Sequence, residues 1–219
     1  MLSTAQLQTM FQLQAAMNYR VDPNWTDARY PYLRAVVVEA AEAIEHHGWK
    51  WWKQQHRDLG QLQMELVDIW HFLLSEILLR NGGDEDKARL YLEAAYERQS
   101  PTRRLQFDGQ EYSLEELELL DLLQALIGTA AAGRVELGLF AEIMSGCELD
   151  WPELYKQYVS KNVLNFFRQD HGYKEGSYKK EWNGREDNEH LSELMDVLDS
   201  ESNDFPTDVY DALKAKYPG

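Results

Sequence analysis

The run Leu59-Gly-Gln-Leu-Gln-Met-Glu65-Leu-Val-Asp68-Ile-Trp-His71-Phe-Leu-Leu-Ser-Glu-Ile-Leu-Leu-Arg80 is closed by Asn81-Gly82-Gly83 and decides the fold. Leu62, Met64, Leu66, Val67, Ile69, Trp70, Leu73, Leu74, Ile77 and Leu78 make it apolar on most sides. A helix of that kind is buried in a core. Glu65 and Asp68 stand three apart and share one narrow polar stripe, to which His71 and Phe72 return further along. Neither carboxylate has a Lys or Arg three or four residues away, the partner that surface helices often supply.

The preceding helix reads from about Asp27 or Leu33 to His47 and stops at Gly48, a common helix-ending residue. It carries Glu39-Ala-Ala-Glu42-Ala-Ile-Glu45, with Glu39 and Glu42 again three apart on one face. Four carboxylates brought together repel one another, and burial raises the cost. A hard divalent cation resolves the conflict, because all-oxygen coordination suits Mg²⁺ or Mn²⁺. Either pair alone reads better as a solvated helix face than as a metal site. Both pairs on consecutive helices, without basic partners, favour a metal.

The rest of the chain is read as helical almost throughout. Apolar residues at Leu7, Met10, Phe11, Leu13 and Met17 mark a helix over residues 2–19. A Trp-rich linker, Trp49-Lys50-Trp51-Trp52-Lys53, joins the two acidic helices. Further helices are expected over 84–99, from a Ser113/Glu116 capping box to about Ala132, over 135–145, and from Asp150 or Trp151 to Asp170. Residues 105–112 read as a loop or hairpin, and residues 172–184 as loop. No convincing alternating strand pattern is present. The expectation is one all-α domain over residues 1–219, with its core at about 1–100 and 113–190. An acidic tail over 186–219 is expected to hold two short helices.

Composition narrows the function. The chain has 219 residues, 44% hydrophobic and 27% charged, with a net charge of −16. That charge argues against a protein that tracks a nucleic-acid backbone. No apolar stretch approaches the roughly 20 residues of a membrane span. The start of the chain lacks the cationic and apolar pattern of a secretory signal. With Cys147 the only cysteine, no internal disulfide forms, which fits a cytoplasmic location. Between Lys156 and Arg185 there are seven basic residues and three acidic ones, so the remainder carries −20. A basic island in an acidic chain is what a phosphate site looks like, although chance clustering gives the same pattern.

Glu39-Ala-Ala-Glu42, followed by Glu65-Leu-Val-Asp68, resembles the ExxE…ExxD signature of all-α nucleoside triphosphate pyrophosphatases. A second region is more specific. It runs from Lys161-Asn-Val-Leu-Asn165-Phe-Phe-Arg168-Gln-Asp-His-Gly172-Tyr-Lys174 through Glu175-Gly-Ser-Tyr178-Lys-Lys-Glu-Trp182 to Asn183-Gly-Arg-Glu-Asp187-Asn188. It resembles the dimeric dUTPases of trypanosomatids, some bacteria and phages, as do the Trp49–Lys53 and Asp68–Phe72 runs. The resemblance implies a helical bundle that cuts dUTP, and in some members dUDP, with Mg²⁺ as cofactor and Mn²⁺ as a possible substitute. It implies that Glu39, Glu42, Glu65 and Asp68 ligate the metal, with Glu42 as the base that orients the attacking water. Gln14, Asn18, Trp49, Trp52, His71, Phe72 and Asn165 would shape the deoxyuridine pocket. Lys161, Arg168, Lys174 and Tyr178 would reach the phosphates, the first three in a catalytic role. A homodimer is implied as well.

Two other readings stay open on sequence grounds. One is a related all-α pyrophosphatase acting on dCTP or general nucleoside triphosphates. The other is a non-catalytic helical scaffold whose carboxylates merely face solvent.

Overall fold

The structure is a computed structural model that describes residues 2–202 and 204–218, without the side chain of Ser100. The chain divides into two compact units, Ser3–Trp151 and Pro152–Gly219, where a single domain is the sequence expectation. Among the described residues the elements are ten α-helices, two short 3-10 turns and two small hairpins, an all-α fold.

The first unit holds α1 (Thr4–Val21), α2 (Trp25–Ala28), α3 (Tyr32–His47), α4 (Leu59–Arg80), α5 (Glu85–Gln99), the hairpin β1 (Arg104–Phe107) and β2 (Gln110–Ser113), α6 (Leu119–Ala131) and α7 (Leu137–Gly146). Helix α4 is its centre. Leu62, Leu66, Ile69, Trp70, Leu74, Ile77 and Leu78 have no solvent exposure at all. Trp70 stacks on Phe140 at 5.2 Å and meets Trp151 edge-on at 5.5 Å. Helix α3 packs along α4 and α6, and α1 packs on α4 and α5. The α3–α4 pairing is what brings the two carboxylate motifs side by side. Burying each large side chain of this set contributes about 1.5–3 kcal/mol.

Gly48 ends α3 with φ 84, donating its N–H to the carbonyls of Ile44 and Glu45. A Cβ there would meet Gln55 Cβ at 3.0 Å. The backbone reverses at this residue and delivers the Trp-rich segment beside the C-terminal turn of α3.

Several boundaries depart from the sequence reading. Ser113 does not cap a helix. It is the last residue of β2, paired with Arg104, and a 3-10 turn over Leu114–Glu116 follows before α6 begins at Leu119. The hairpin's ladder and the Leu114 N–H bond to the Arg103 carbonyl compete successfully with the local capping pattern. Both residues of the Asp108-Gly109 turn have positive φ, 51 and 72, the conformation whose twist suits a two-residue hairpin. The expected helix start near Asp27 or Leu33 resolves into two elements, with Arg29 at φ 51 ending the short α2.

The second unit holds α8 (Trp151–Asp170) from its second residue onward, the hairpin β3 (Glu181–Trp182) and β4 (Arg185–Glu186), α9 (Asp187–Met195) and α10 (Phe205–Lys216). The β3–β4 hairpin lies in the segment read from sequence as loop. Its Asn183-Gly184 turn again has φ positive at both positions, 53 and 79. Phe167, fully buried, is ringed by His171, Tyr178, Trp182, Tyr210 and Tyr217. Trp182 donates its indole N–H to the Lys179 carbonyl at 2.6 Å and stacks on His190 at 5.3 Å. This aromatic cluster gives the small unit a core of its own.

Candidate active site

Helices α3 and α4 present their carboxylates to one another. Glu39, Glu42 and Glu65 each offer an oxygen, and these atoms all lie within 4.8 Å of one another. Asp68 is not part of that mutual set, but its charge is the strongest of the charges acting on Glu39. Glu65 is buried, Glu39 and Asp68 are partly covered, and Glu42 is exposed. Burial first, and then the charges of Asp68, Glu42 and Glu65, push the Glu39 carboxyl up to about 7. The nearness of the Glu65 carboxyl adds the smallest push in the same direction.

Three carboxylates that converge despite their mutual repulsion form a site a divalent cation fits. The donors are all oxygens, they converge from two helices, and one of them stays open to solvent. His46, one turn beyond Glu42, places Nε2 3.4 Å from Glu65 Oε1. Sequence reasoning passed over His46, although its spacing of four from Glu42 and seven from Glu39 puts it on their face.

Beside the carboxylates lies a buried polar network. Gln14 donates from Nε2 to Asn18 Oδ1 at 3.0 Å and to Ser75 Oγ at 2.9 Å. Ser75 Oγ stands 3.2 Å from Asn18 Oδ1 and donates to the His71 carbonyl at 3.0 Å. His71 Nδ1 lies 2.8 Å from the Val67 carbonyl. Gln14, Asn18, His71 and Ser75 are all buried, with Phe72 half-buried next to His71. Asn18 Nδ2 is enclosed and has no hydrogen-bond partner. A buried amide donor without an acceptor is costly, and it marks a place where a ligand oxygen would be stabilised. Ser75 also escaped the sequence reading. Its position four residues after His71 and seven after Asp68 carries the signal.

Trp49, Trp51 and Trp52 form an edge-to-face cluster with centroids 4.5–6.3 Å apart. Trp51 is 86% exposed and Trp52 59%. Glu45 anchors the segment, accepting from Trp49 Nε1 at 2.7 Å and from Lys50 Nζ at 2.7 Å.

In the second unit, Asn165 and Arg168 lie one turn apart on α8, preceded by the partly covered Lys161. Arg168 clasps the carboxylate of Asp187 with two bonds, Nε to Oδ2 at 2.8 Å and Nη2 to Oδ1 at 2.9 Å. Tyr178 donates its hydroxyl to Asp187 Oδ2 at 2.8 Å. Burial pushes the Asp187 carboxyl upward, but the Arg168 and Tyr178 hydrogen bonds and the Arg168 charge outweigh it and hold it below the usual range. Burial, together with Asp187, raises the Tyr178 phenol well above its ordinary value. Lys174 is exposed on the turn after α8. The structure thus joins Asn165, Arg168 and Tyr178 around Asp187, a residue that the sequence reading quoted in a motif but gave no role.

The profile of the dUTPase family matches residues 6–173, a span that includes both carboxylate motifs, Gln14, Asn18 and the whole of α8. The chain belongs to the dimeric dUTPase family. It is therefore a hydrolase that acts as a nucleotide pyrophosphatase, and the scaffold reading falls away. The dUTPase match ends at Tyr173, short of Lys174, Tyr178 and Asp187. A comparison with curated proteins gives no match. Among the described residues no helix is long and apolar enough to cross a membrane.

Proposed function

We propose that the chain hydrolyses dUTP to dUMP and pyrophosphate. The observation that carries this reading is the convergence of Glu39, Glu42 and Glu65 within 4.8 Å in a chain of the dUTPase family. Glu39, Glu42, Glu65 and Asp68 would hold Mg²⁺, with Mn²⁺ as a substitute. What a divalent cation supplies when bound is neutralisation of phosphate charge and Lewis acidity toward water.

The chain's own residues do the rest. Glu42, the most exposed of the trio, accepts a proton from the attacking water and orients it, a role that requires a carboxylate within hydrogen-bond reach of solvent. Lys161, Arg168 and Lys174 offset the charge that develops on the phosphates, and Tyr178 supports them. Arg168 suits a two-point contact, and Lys174 acts as a mobile point charge.

Base recognition falls to the polar network and the aromatic segment. Gln14, Asn18, His71, Phe72 and Asn165 shape the deoxyuridine pocket. The enclosed Asn18 Nδ2 would donate to a uracil carbonyl. Trp49 and Trp52 offer planes on which a base stacks. The working form is a homodimer in the cytoplasm.

A nucleotide panel assayed with Mg²⁺ tests the assignment. dUTP should be turned over with the highest kcat/KM. Preference for dCTP or for ribonucleoside triphosphates would replace it with a related pyrophosphatase that uses the same carboxylates.

A further inference from the structure

Asp187 has no solvent exposure, yet it carries a charge that nothing in the reaction chemistry above uses. Burying a carboxylate is costly unless every lone pair finds a donor. Here each oxygen does. Oδ2 accepts from Arg168 Nε at 2.8 Å and from the Tyr178 hydroxyl at 2.8 Å. Oδ1 accepts from Arg168 Nη2 at 2.9 Å and from the backbone N–H of Asn188 at 2.8 Å. The backbone of Asp187 is fixed in turn, its N–H donating to the Lys180 carbonyl at 2.9 Å.

The consequence for Arg168 is specific. A guanidinium has five N–H donors in a rigid fork. Asp187 takes two of them, Asn188 Oδ1 a third at 3.2 Å, and Asn165 Oδ1 a fourth, on Nη1, at 3.2 Å. One Nη1 donor is left, on a side chain whose plane is set by the two-point clasp. The same carboxylate ties Tyr178, from the turn region after α8, to the first residue of α9.

We propose that Asp187 is a positioning residue. It holds the Arg168 guanidinium and the Tyr178 hydroxyl in one fixed arrangement, so that Arg168 meets a phosphate already oriented. This rests on the reading that Arg168 serves the phosphates. Without the clasp Arg168 keeps its charge and loses its orientation, and misplacement of about 1 Å costs up to about 100-fold in rate.

The test is a double-mutant cycle on dUTP hydrolysis with R168A, D187N and R168A/D187N, each checked for folding by circular dichroism and thermal melting. D187N should lower kcat/KM by about tenfold or more. In the R168A background the same substitution should change kcat/KM by less than about twofold, because the group it positions is gone. A loss from D187N that is undiminished in the R168A background would overturn the proposal, since a general structural role persists without Arg168. If R168A is slow while D187N matches the unaltered protein, the positioning role fails and the phosphate role of Arg168 stands. If R168A is as active as the unaltered protein, the phosphate role itself fails and the positioning role with it. Should D187N not fold, D187E replaces it. It keeps the charge but shifts the carboxylate by one methylene, and the same outcomes apply.

Discussion

Replacing Glu39 by Gln separates the cost of the carboxylate cluster from its use. In the metal-free protein the Glu39 carboxyl is raised from 4.5 to about 7 by burial and by Asp68, Glu42 and Glu65. An acid raised in the folded state penalises folding once it ionises. Below 4.5 both folded and unfolded chains hold the proton, and there is no penalty. Between 4.5 and 7 the unfolded chain ionises first and stability falls with rising pH. Above 7 the penalty is complete. The shift corresponds to roughly 3 kcal/mol, which screening at this partly exposed side chain reduces to about 1–2 kcal/mol. E39Q keeps the shape, and its amide still donates to Glu65, so it should be more stable than the unaltered protein by that amount at pH 8 in EDTA. At pH 5 most of the gain should be absent. Adding Mg²⁺ should then stabilise the unaltered protein and have far less effect on E39Q. Urea denaturation at the two pH values, with and without Mg²⁺, measures all of this. A variant less stable than the unaltered protein at pH 8 in EDTA, or a gain equal at both pH values, refutes the reasoning.

E42Q should fold normally and lose about 100- to 10,000-fold in kcat, the range of a removed general base; steady-state kinetics with Mg²⁺ check it. S75A removes the hydroxyl that bridges Gln14, Asn18 and the His71 carbonyl. It should cost about 1–3 kcal/mol of stability and raise KM for dUTP, read by denaturation and by kinetics on the same sample. G48A forces a Cβ into a φ of 84 and against Gln55. It should destabilise by about 1–2 kcal/mol, and tryptophan emission should report the displaced Trp49–Trp52 segment.

How far the sequence reached depends on what each feature rests on. Helix α4 was legible because 22 residues without an internal breaker other than Gly60 carry apolar side chains on most faces. The sharing of a face by Glu39 with Glu42, and by Glu65 with Asp68, followed from spacing alone. Their approach within one cluster did not, because it depends on how α3 packs on α4. The same holds for Gln14 and Asn18, for which exposure is the default on an amphipathic helix. They are buried because Ser75 supplies a partner that sequence separation conceals. Local patterns misled at Ser113, where hairpin pairing with Arg104 wins over a capping box. The division after Trp151 leaves no composition signal, since it falls at the start of one continuous helix. Asp187 was visible as a residue in a motif, but its clasp on Arg168 joins positions 19 apart and needs coordinates to be seen.

Phosphorus NMR of dUTP incubated with the protein tests most directly whether the α3–α4 carboxylates form a metal-dependent pyrophosphohydrolase centre. With Mg²⁺ present, dUMP and pyrophosphate should appear in equal amounts, and chelation by EDTA should stop the reaction. Turnover that continues undiminished in EDTA, or release of inorganic phosphate and dUDP in place of pyrophosphate, would contradict it.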